Sequence, residues 1–441
     1  MKRELSFVQA TAINMIDMVG IGPFLTTAVV ASTLGFGPYA ILAWVIGAVL
    51  SFFDACIWSE LGARMPEAGG SYAFLRESYG RNGLGRLMSF LFVWQTTFQA
   101  PLVVTSGAIG FAKYAAYVVP MLPWQSKAVS VALILLLTLL LYRRIGAVGK
   151  ISVVLWVSVM FTLLSVIVVG FTHVDMNVFP QVWTWPADTQ PLNTTALGAA
   201  TILTMYSFLG YYNVCHLGAE VRDPVRTIPR SMFLSIAGIA VLYLSMQLAI
   251  YAVLPVQQIG ASPFIVSTFF EHIAGPTAAT VATWLILIVA LSSLFSVMLG
   301  YTRIPYAAAK DGLFFRAFAR EHPTEGFPTV SLLVLAGLAI VFSLTLTLDD
   351  SIKAIVTMRV FTQFISQAVG LMVLRNRIGA KAMPWRMWLY PVPILIAIIG
   401  WLWIFVSAKA LQQQLAIVAP IIGVAVFYLF IQPRLNKAQA S

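Results

Sequence analysis

Met18-Val19-Gly20-Ile21-Gly22-Pro23-Phe24 interrupts what otherwise reads as a membrane helix, and Phe208-Leu209-Gly210-Tyr211-Tyr212-Asn213 interrupts another near the middle of the chain. Gly lacks the Cβ that favours helix, and Pro lacks an N–H, so each stretch frees backbone polar groups at membrane depth. Lipid cannot satisfy those groups, which persist only where they line a cavity or meet a ligand. Two interrupted apolar spans at corresponding places in two halves of one chain point to a small-molecule site near the bilayer midplane.

The rest of the chain supplies the membrane context. Of its 441 residues, 60% are hydrophobic and only 10% are charged. Soluble domains of this length carry far more charge, so the expected fold class is an all-α polytopic membrane protein. About twelve spans reach the roughly 20 residues that a bilayer crossing needs. They lie near 8–33, 39–61, 86–118, 127–142, 151–171, 196–218, 231–254, 277–301, 329–347, 352–374, 390–408 and 414–432. Cys56 and Cys215 both fall inside apolar spans and are expected to be buried thiols. The N-terminal apolar stretch is too long for a cleaved signal peptide, contains Asn14 and Asp17, and has no small-residue cleavage site after it.

The formal charge of +11 is topological in origin. If the N-terminus is cytoplasmic, the inner segments hold 22 of the 27 Lys and Arg residues. The remaining five are Lys113, Lys127, Lys353, Arg359 and Lys409. This is the positive-inside pattern, and it predicts an even number of spans with both termini cytoplasmic. Nucleic acid is not an expected partner. The longest polar stretches, 62–85, 303–328 and 375–389, are loops, so a single membrane domain over 1–441 is expected to carry the function.

The breaks suggest a chemistry. A helix restarting at Phe24 presents free N–H groups at Ile21, Gly22 and Phe24 at the positive end of its dipole, which suits a carboxylate. The segment ending near Val19 exposes carbonyls, which suit an ammonium group or a small cation. An α-amino acid carries both poles. A Gly/Pro kink that serves packing alone is the competing reading. Tyr206, Phe208, Tyr211 and Tyr212 surround Gly210, with Asn213 next to them, and could cover a ligand or simply fill the bundle.

Other polar residues at membrane depth are functional candidates by default. Arg359, Thr362, Gln363, Ser366 and Gln367 form one polar helical face that must look at protein or water. Arg359 is placed to meet a substrate carboxylate or a buried acid, or to act as structural glue. Gln95 and Gln99 share a second such face. Asp17, less than a turn before the first break, is a proton or cation candidate, and Asp54 is a weaker one. Ser292, Ser293 and Ser296 could join first-break carbonyls around sodium, or could only permit close helix packing. His216 titrates in a useful range. Glu60 and Arg64, at i and i+4, are expected to pair at the cytoplasmic rim.

Three loop stretches extend the reading: Glu60-Leu61-Gly62-Ala63-Arg64-Met65-Pro66-Glu67-Ala68-Gly69-Gly70-Ser71-Tyr72, Gly218-Ala219-Glu220-Val221-Arg222-Asp223-Pro224-Val225-Arg226-Thr227-Ile228-Pro229-Arg230 and Tyr301-Thr302-Arg303-Ile304-Pro305-Tyr306-Ala307-Ala308-Ala309-Lys310-Asp311-Gly312-Leu313. Each resembles a signature of the amino acid–polyamine–organocation (APC) family of secondary transporters, at the family's position. Leu141-Tyr142-Arg143-Arg144 through Val148-Gly149, with the Gly218–Pro229 stretch, looks closest to its polyamine-uptake and L-type amino acid branches. The resemblance implies a leucine-transporter-type fold with about 12 transmembrane helices. That fold is a 5+5 inverted repeat (about 8–171 and 196–374) with helices 1 and 6 broken, plus two extra helices (about 390–432). It further implies that Gly20, Ile21 and Gly22 hold the substrate carboxylate, and that the main chain of Phe208, Leu209 and Gly210 receives the amino group. Tyr206, Phe208 and Tyr211 would then be wall or gate aromatics.

This chain also departs from the family. Polyamine carriers of this kind need carboxylates facing the ligand, yet Thr26 and Thr27 follow the first break, and Tyr212 stands where several relatives place an acid. A mono-amino substrate is therefore expected. Ser158-Val159-Met160 lacks the lysine that replaces a sodium ion in some relatives, which leaves H+, Na+ or exchange open as the drive. The leading expectation is a secondary active transporter of amino acids in the inner or plasma membrane, working by alternating access. The alternative is a polyamine or organic-cation carrier. An enzyme is not expected: His173, His216, His272 and His322 show no metal-binding spacing, and no GxSxG motif occurs. Neither a cofactor nor a metal is expected.

Overall fold

The computed structural model describes residues 3, 5–35, 37–67, 69–142, 148–183, 192–323 and 327–440. Among them the chain is helical, with only two isolated β-bridges, Leu5 to Val221 and Glu321 to Pro328. The helices of the first half are α1 (Phe7–Met18), α2 (Gly22–Leu34), α3 (Gly37–Arg64), α4 (Ser71–Ser78), α5 (Leu84–Val118), α6 (Pro123–Leu141), α7 (Val148–Thr172) and α8 (Phe179–Trp183). There follow α9 (Thr194–Phe208), α10 (Asn213–His216), α11 (Pro224–Tyr251), α12 (Val256–Ala261) and α13 (Ile265–Lys310). The last are α14 (Thr329–Thr345), α15 (Leu348–Arg359), α16 (Ser366–Ile378), α17 (Val392–Ser407), α18 (Ala410–Val426) and α19 (Gln432–Ala440).

Each of the predicted apolar segments falls on one of these helices or on a broken pair. Among the described residues, seven continuous helical stretches are long and apolar enough to cross a membrane, two of them (Leu348–Ile378 and Ala410–Asn436) running through a π turn, and the bent pair α1/α2 makes an eighth. The apolar segments Trp156–Thr172, α14 and α17 are shorter, as is α9 at 15 residues. The protein is thus all-α and polytopic. Of the loop signatures, 143–147 and Ala68 lie outside the described residues.

Local chemistry sets the helix ends near the breaks. Ser6 and Gln9 form a reciprocal capping box that starts α1. The axis then turns by 47° before α2. Pro23 sits in the first turn of α2, where its missing N–H costs nothing, and Gly35 ends that helix in the left-handed region at φ 63°. Asn193 caps α9 by accepting from the N–H groups of Thr195 and Ala196. At the other end of α9 the chain turns extended at Leu209, and Gly210 follows at φ +116°, a conformation in which a side chain is strained.

The core packs α3 against α11, α9 and α17, and α5 against α13, α14 and α15. Trp44 of α3 meets Phe208 and Tyr243 edge-on, at ring separations of 6.2 and 5.4 Å. Cys56 and Cys215 are buried free thiols.

One expected contact is replaced. Glu60 does not pair with Arg64. Its fully buried carboxylate accepts from Arg375 Nε and Nη2 at 2.5 and 2.7 Å, and from the Met387 N–H at 3.0 Å. Arg375 in turn lies over the Tyr390 ring at 3.9 Å. Helical spacing puts Glu60 and Arg64 on one face, but Arg64 is exposed at the helix end while Glu60 faces inward. In that dry setting the planar fork of Arg375, arriving from α16, is the better partner.

Candidate functional site

The two breaks meet. Asn14 of α1 accepts the Val214 N–H at 2.9 Å and so caps the restart of the second broken span. The Tyr243 hydroxyl, from α11, donates to the Met18 carbonyl at 2.8 Å, with the Ser207 carbonyl at 3.2 Å. Thr26 and Ser207 hydroxyls share a bond at 3.0 Å. Gly210 lies so close to α1 that a Cβ there would stand 2.8 Å from the Asp17 carbonyl carbon. Together these contacts hold the unwound backbones against each other.

The first break keeps its donors free. No side chain caps α2, and among the described residues the N–H groups of Gly20, Ile21, Gly22 and Phe24 find no acceptor. A Cβ on Gly22 would meet Tyr206 at 3.0 Å, and one on Gly20 would meet Ser293 Oγ at 3.0 Å. At the second break the Gly210 carbonyl is taken by the Asn213 N–H, whereas those of Phe208 and Leu209 accept nothing among the described residues.

Between the breaks lies a cavity of about 70 Å³. It has room for about five water-sized atoms, at about 10–15 Å³ for each. Gly20, Ile21, Gly22, Leu209 and Gly210 of the two breaks line it, as do the polar residues Asp17, Ser293, Tyr206, Tyr212, Tyr301 and Arg359. Asp17, Tyr212, Val297 and Tyr301 also line an adjoining cavity of about 970 Å³ that reaches Glu67, Tyr72, Arg76, Arg303 and Asp311. Asn213, His216 and Ser296 belong to this larger space.

Arg359 closes the small cavity. It ends α15, and the next turn, Val360–Ile365, widens to π geometry, a departure often met at functional sites. Its Nη1 donates to the Tyr212 hydroxyl and its Nη2 to Gln99 Oε1 and the Tyr301 hydroxyl. Nε is buried without a partner. The same helical face continues with Thr362 donating to Gln95 Oε1 at 2.9 Å and Gln363 to Ser71 at 3.1 Å, so this polar stripe faces α5 and α4. Asp17 is half-buried, and its carboxylate makes no hydrogen bond or ion pair among the described residues.

Several candidates stand away from the small cavity. Phe208 is fully buried against Trp44 and Tyr243, behind the break. The Tyr211 hydroxyl points to α3, where it donates to Asp54 Oδ2 at 2.5 Å, while Trp401 donates to Oδ1 at 3.1 Å. Gln95 and Gln99 contact the Arg359 stripe without lining the cavity. Ser292 donates to the Ile288 carbonyl within its own helix. Conversely, sequence reading passed over Tyr301, Asn14, Tyr243 and Ser106, which shares a bond with the Tyr206 hydroxyl at 2.9 Å. Tyr301 opens a loop signature quoted above, which is the one signal that pointed to it.

Similarity to known proteins covers nearly the whole chain. A family model described as amino acid permease matches residues 5–427. An uncharacterized transporter of Mycobacterium tuberculosis is 29% identical over 79% of this chain and 75% of its own length. The serine/threonine exchanger SteT of Bacillus subtilis is 21% identical over 97% of both chains. Cationic amino acid transporter 4 of Homo sapiens is 26% identical over 85% of this chain and 60% of its own.

Proposed function

From the premise that this chain belongs to the amino acid permease family, we propose that it is a secondary active transporter that binds an α-amino acid between the two helix breaks. The observation that carries the proposal is the set of free N–H groups at Gly20, Ile21 and Gly22, facing one small cavity with the Asp17 carboxylate. In this pose the α-carboxylate sits on the first break. The ammonium lies between Asp17 and the free carbonyls of Phe208 and Leu209. A Cβ-free backbone at Gly20 and Gly22 lets the ligand approach closely.

The larger cavity is bordered by residues of the basic loops 62–85 and 303–328, which the charge bias puts on the cytoplasmic side. In this reading the conformation is inward-facing, both termini are cytoplasmic, and the chain lies in the inner or plasma membrane. Spans 8–171 and 196–374 form the inverted repeat, which rocks around the midplane site during alternating access. Asp17 is the residue best placed to exchange a proton or cation with that cavity. A buried guanidinium in the same site disfavours the organic-cation alternative.

The test is counterflow in proteoliposomes with a panel of amino acids and polyamines, with and without sodium and a pH gradient. Saturable, stereospecific counterflow of at least one α-amino acid is expected. A protein that exchanges none of them, or that conducts without saturation, removes the proposal.

A further inference from the structure

Arg359 is a buried cation that makes no ion pair among the described residues. Its hydrogen-bond partners, Tyr212, Tyr301 and Gln99, are all neutral. Three of its five N–H groups are used, and the buried Nε is left without an acceptor. Each tyrosine hydroxyl accepts from the guanidinium and so keeps its own hydrogen to donate. The end of the small cavity formed by Arg359, Tyr212 and Tyr301 is therefore rich in donors and positively charged. Asp17, in the same cavity, acts on the guanidinium through space without touching it, and a charge at membrane depth with no contact partner is normally met by an anion.

The small cavity holds three poles. The free N–H groups of the first break form one donor pole. Asp17, the only acid among the described residues that lines the cavity, forms an acceptor pole beside Gly210. Arg359 with its two tyrosines forms a second donor pole. A neutral amino acid satisfies the first two and draws its ammonium onto Asp17, which leaves the guanidinium with no anion in contact. A lysine side chain or a polyamine would bring positive charge against it. An α-amino acid with a carboxylate side chain supplies two anionic groups and one cationic group, matching all three. Tyr212 and Tyr301 also line the large cavity, so they stand at the mouth where a side chain from that direction first meets the site.

We propose that the transported substrates are acidic α-amino acids, with Arg359, Tyr212 and Tyr301 holding the side-chain carboxylate. The proposal rests on the amino acid transport reading above and assigns the substrate class to the same site. Arg359 is here a specificity-determining residue, because its planar fork can take a carboxylate in a way that an ammonium cannot reproduce.

The experiment uses the full chain in proteoliposomes preloaded with unlabelled amino acid, and follows labelled L-aspartate, L-glutamate, L-serine and L-lysine. The wild type is expected to exchange aspartate or glutamate in preference to serine, and not to exchange lysine. Arg359→Gln is expected to lose acidic counterflow by about 10-fold or more, because a hydrogen bond to a charged group is lost. Arg359→Lys should restore only part of it. Tyr301→Phe keeps the guanidinium and removes one hydroxyl. It should raise the KM for the acid without changing the preference order, so the proposal stays testable if the Arg359 variants fail to fold. Exchange of serine or lysine without exchange of either acid overturns this inference and leaves the transporter reading intact. Failure of every amino acid to exchange overturns both. Unaltered acid exchange in folded Arg359→Gln returns the arginine to a structural role.

Discussion

The two breaks solve the same backbone problem in opposite ways. The first, Val19 to Gly22, is nearly bare. Two glycines and a proline interrupt the helix, no side chain caps α2, and several N–H groups are left without acceptors. The second, Leu209 to Tyr212, is wired into its surroundings. Tyr211 is tied to Asp54 of α3, Tyr212 to Arg359 of α15, and the restart at Val214 to Asn14 of α1. A bare break can offer its backbone to a ligand. A wired break can pass a change at the ligand on to three other helices. In the proposed pose, the first break binds through its bare donors, while the second adds the Phe208 and Leu209 carbonyls and also couples the site to other helices.

The sharpest way to break the comparison is to put the same side chain into each. At Gly210 a side chain meets both a disfavoured φ of +116° and α1 backbone at 2.8 Å. Gly210→Val should cost about 3 kcal/mol or more of stability and abolish uptake, read as a fall in the melting temperature of purified protein together with lost counterflow. Gly22 has no positive φ, and its added Cβ meets the Tyr206 ring at 3.0 Å and Ser207 Oγ at 3.5 Å, both side chains rather than backbone. Gly22→Ala should therefore leave stability within about 1 kcal/mol of wild type. Uptake should still fall by about 10-fold or more, since small misplacements at a positioned site carry large kinetic costs. If Gly22→Ala unfolds the protein while Gly210→Val is tolerated, the division of labour is reversed.

This contrast also marks what was legible in the sequence. The spans were legible because apolar length is a one-dimensional signal, and the breaks were legible because Gly and Pro act locally. The wiring was not. Nothing in the local pattern says that Tyr211 turns away from the cavity toward Asp54, or that Tyr301, 58 positions before Arg359, supplies one of its acceptors. Glu60 shows the same limit. Its i+4 neighbour Arg64 is the partner that periodicity suggests, yet Arg375, 315 positions away, arrives in the buried space and forms the pair. Local spacing describes one helix, and the partner of a buried charge is decided by which other helix delivers a matching fork.

A middle-sized effect is expected where the second break is anchored. Asp54 is 1% exposed and accepts from both Tyr211 and Trp401, so it joins the break to α3 and α17. Asp54→Asn leaves one good acceptor and presents an amide N–H₂ to the other donor. About 1–3 kcal/mol of stability should be lost, because one buried donor is left unsatisfied. If this Tyr211 anchor couples rather than binds, substrate affinity should change little while the maximal exchange rate falls. A rise in KM at constant maximal rate would instead place this anchor in the binding step.

The smallest effect tests a hydroxyl from a third helix that touches both breaks. The single Tyr243 hydroxyl hydrogen is directed at the Met18 carbonyl and lies near that of Ser207, so one atom from α11 touches the last turn before each break. Tyr243→Phe keeps the ring packed against Trp44 and Phe208 and removes only that oxygen. The expected cost is about 1 kcal/mol, the usual value of one buried hydrogen bond. That is too small to unfold the protein but enough to raise local opening several-fold, as about 1.4 kcal/mol corresponds to tenfold. Amide hydrogen exchange should then quicken in both 15–22 and 205–214. Faster exchange in only one segment would mean that the hydroxyl serves that break alone, and that Asn14 and the Thr26–Ser207 bond hold the two together without it.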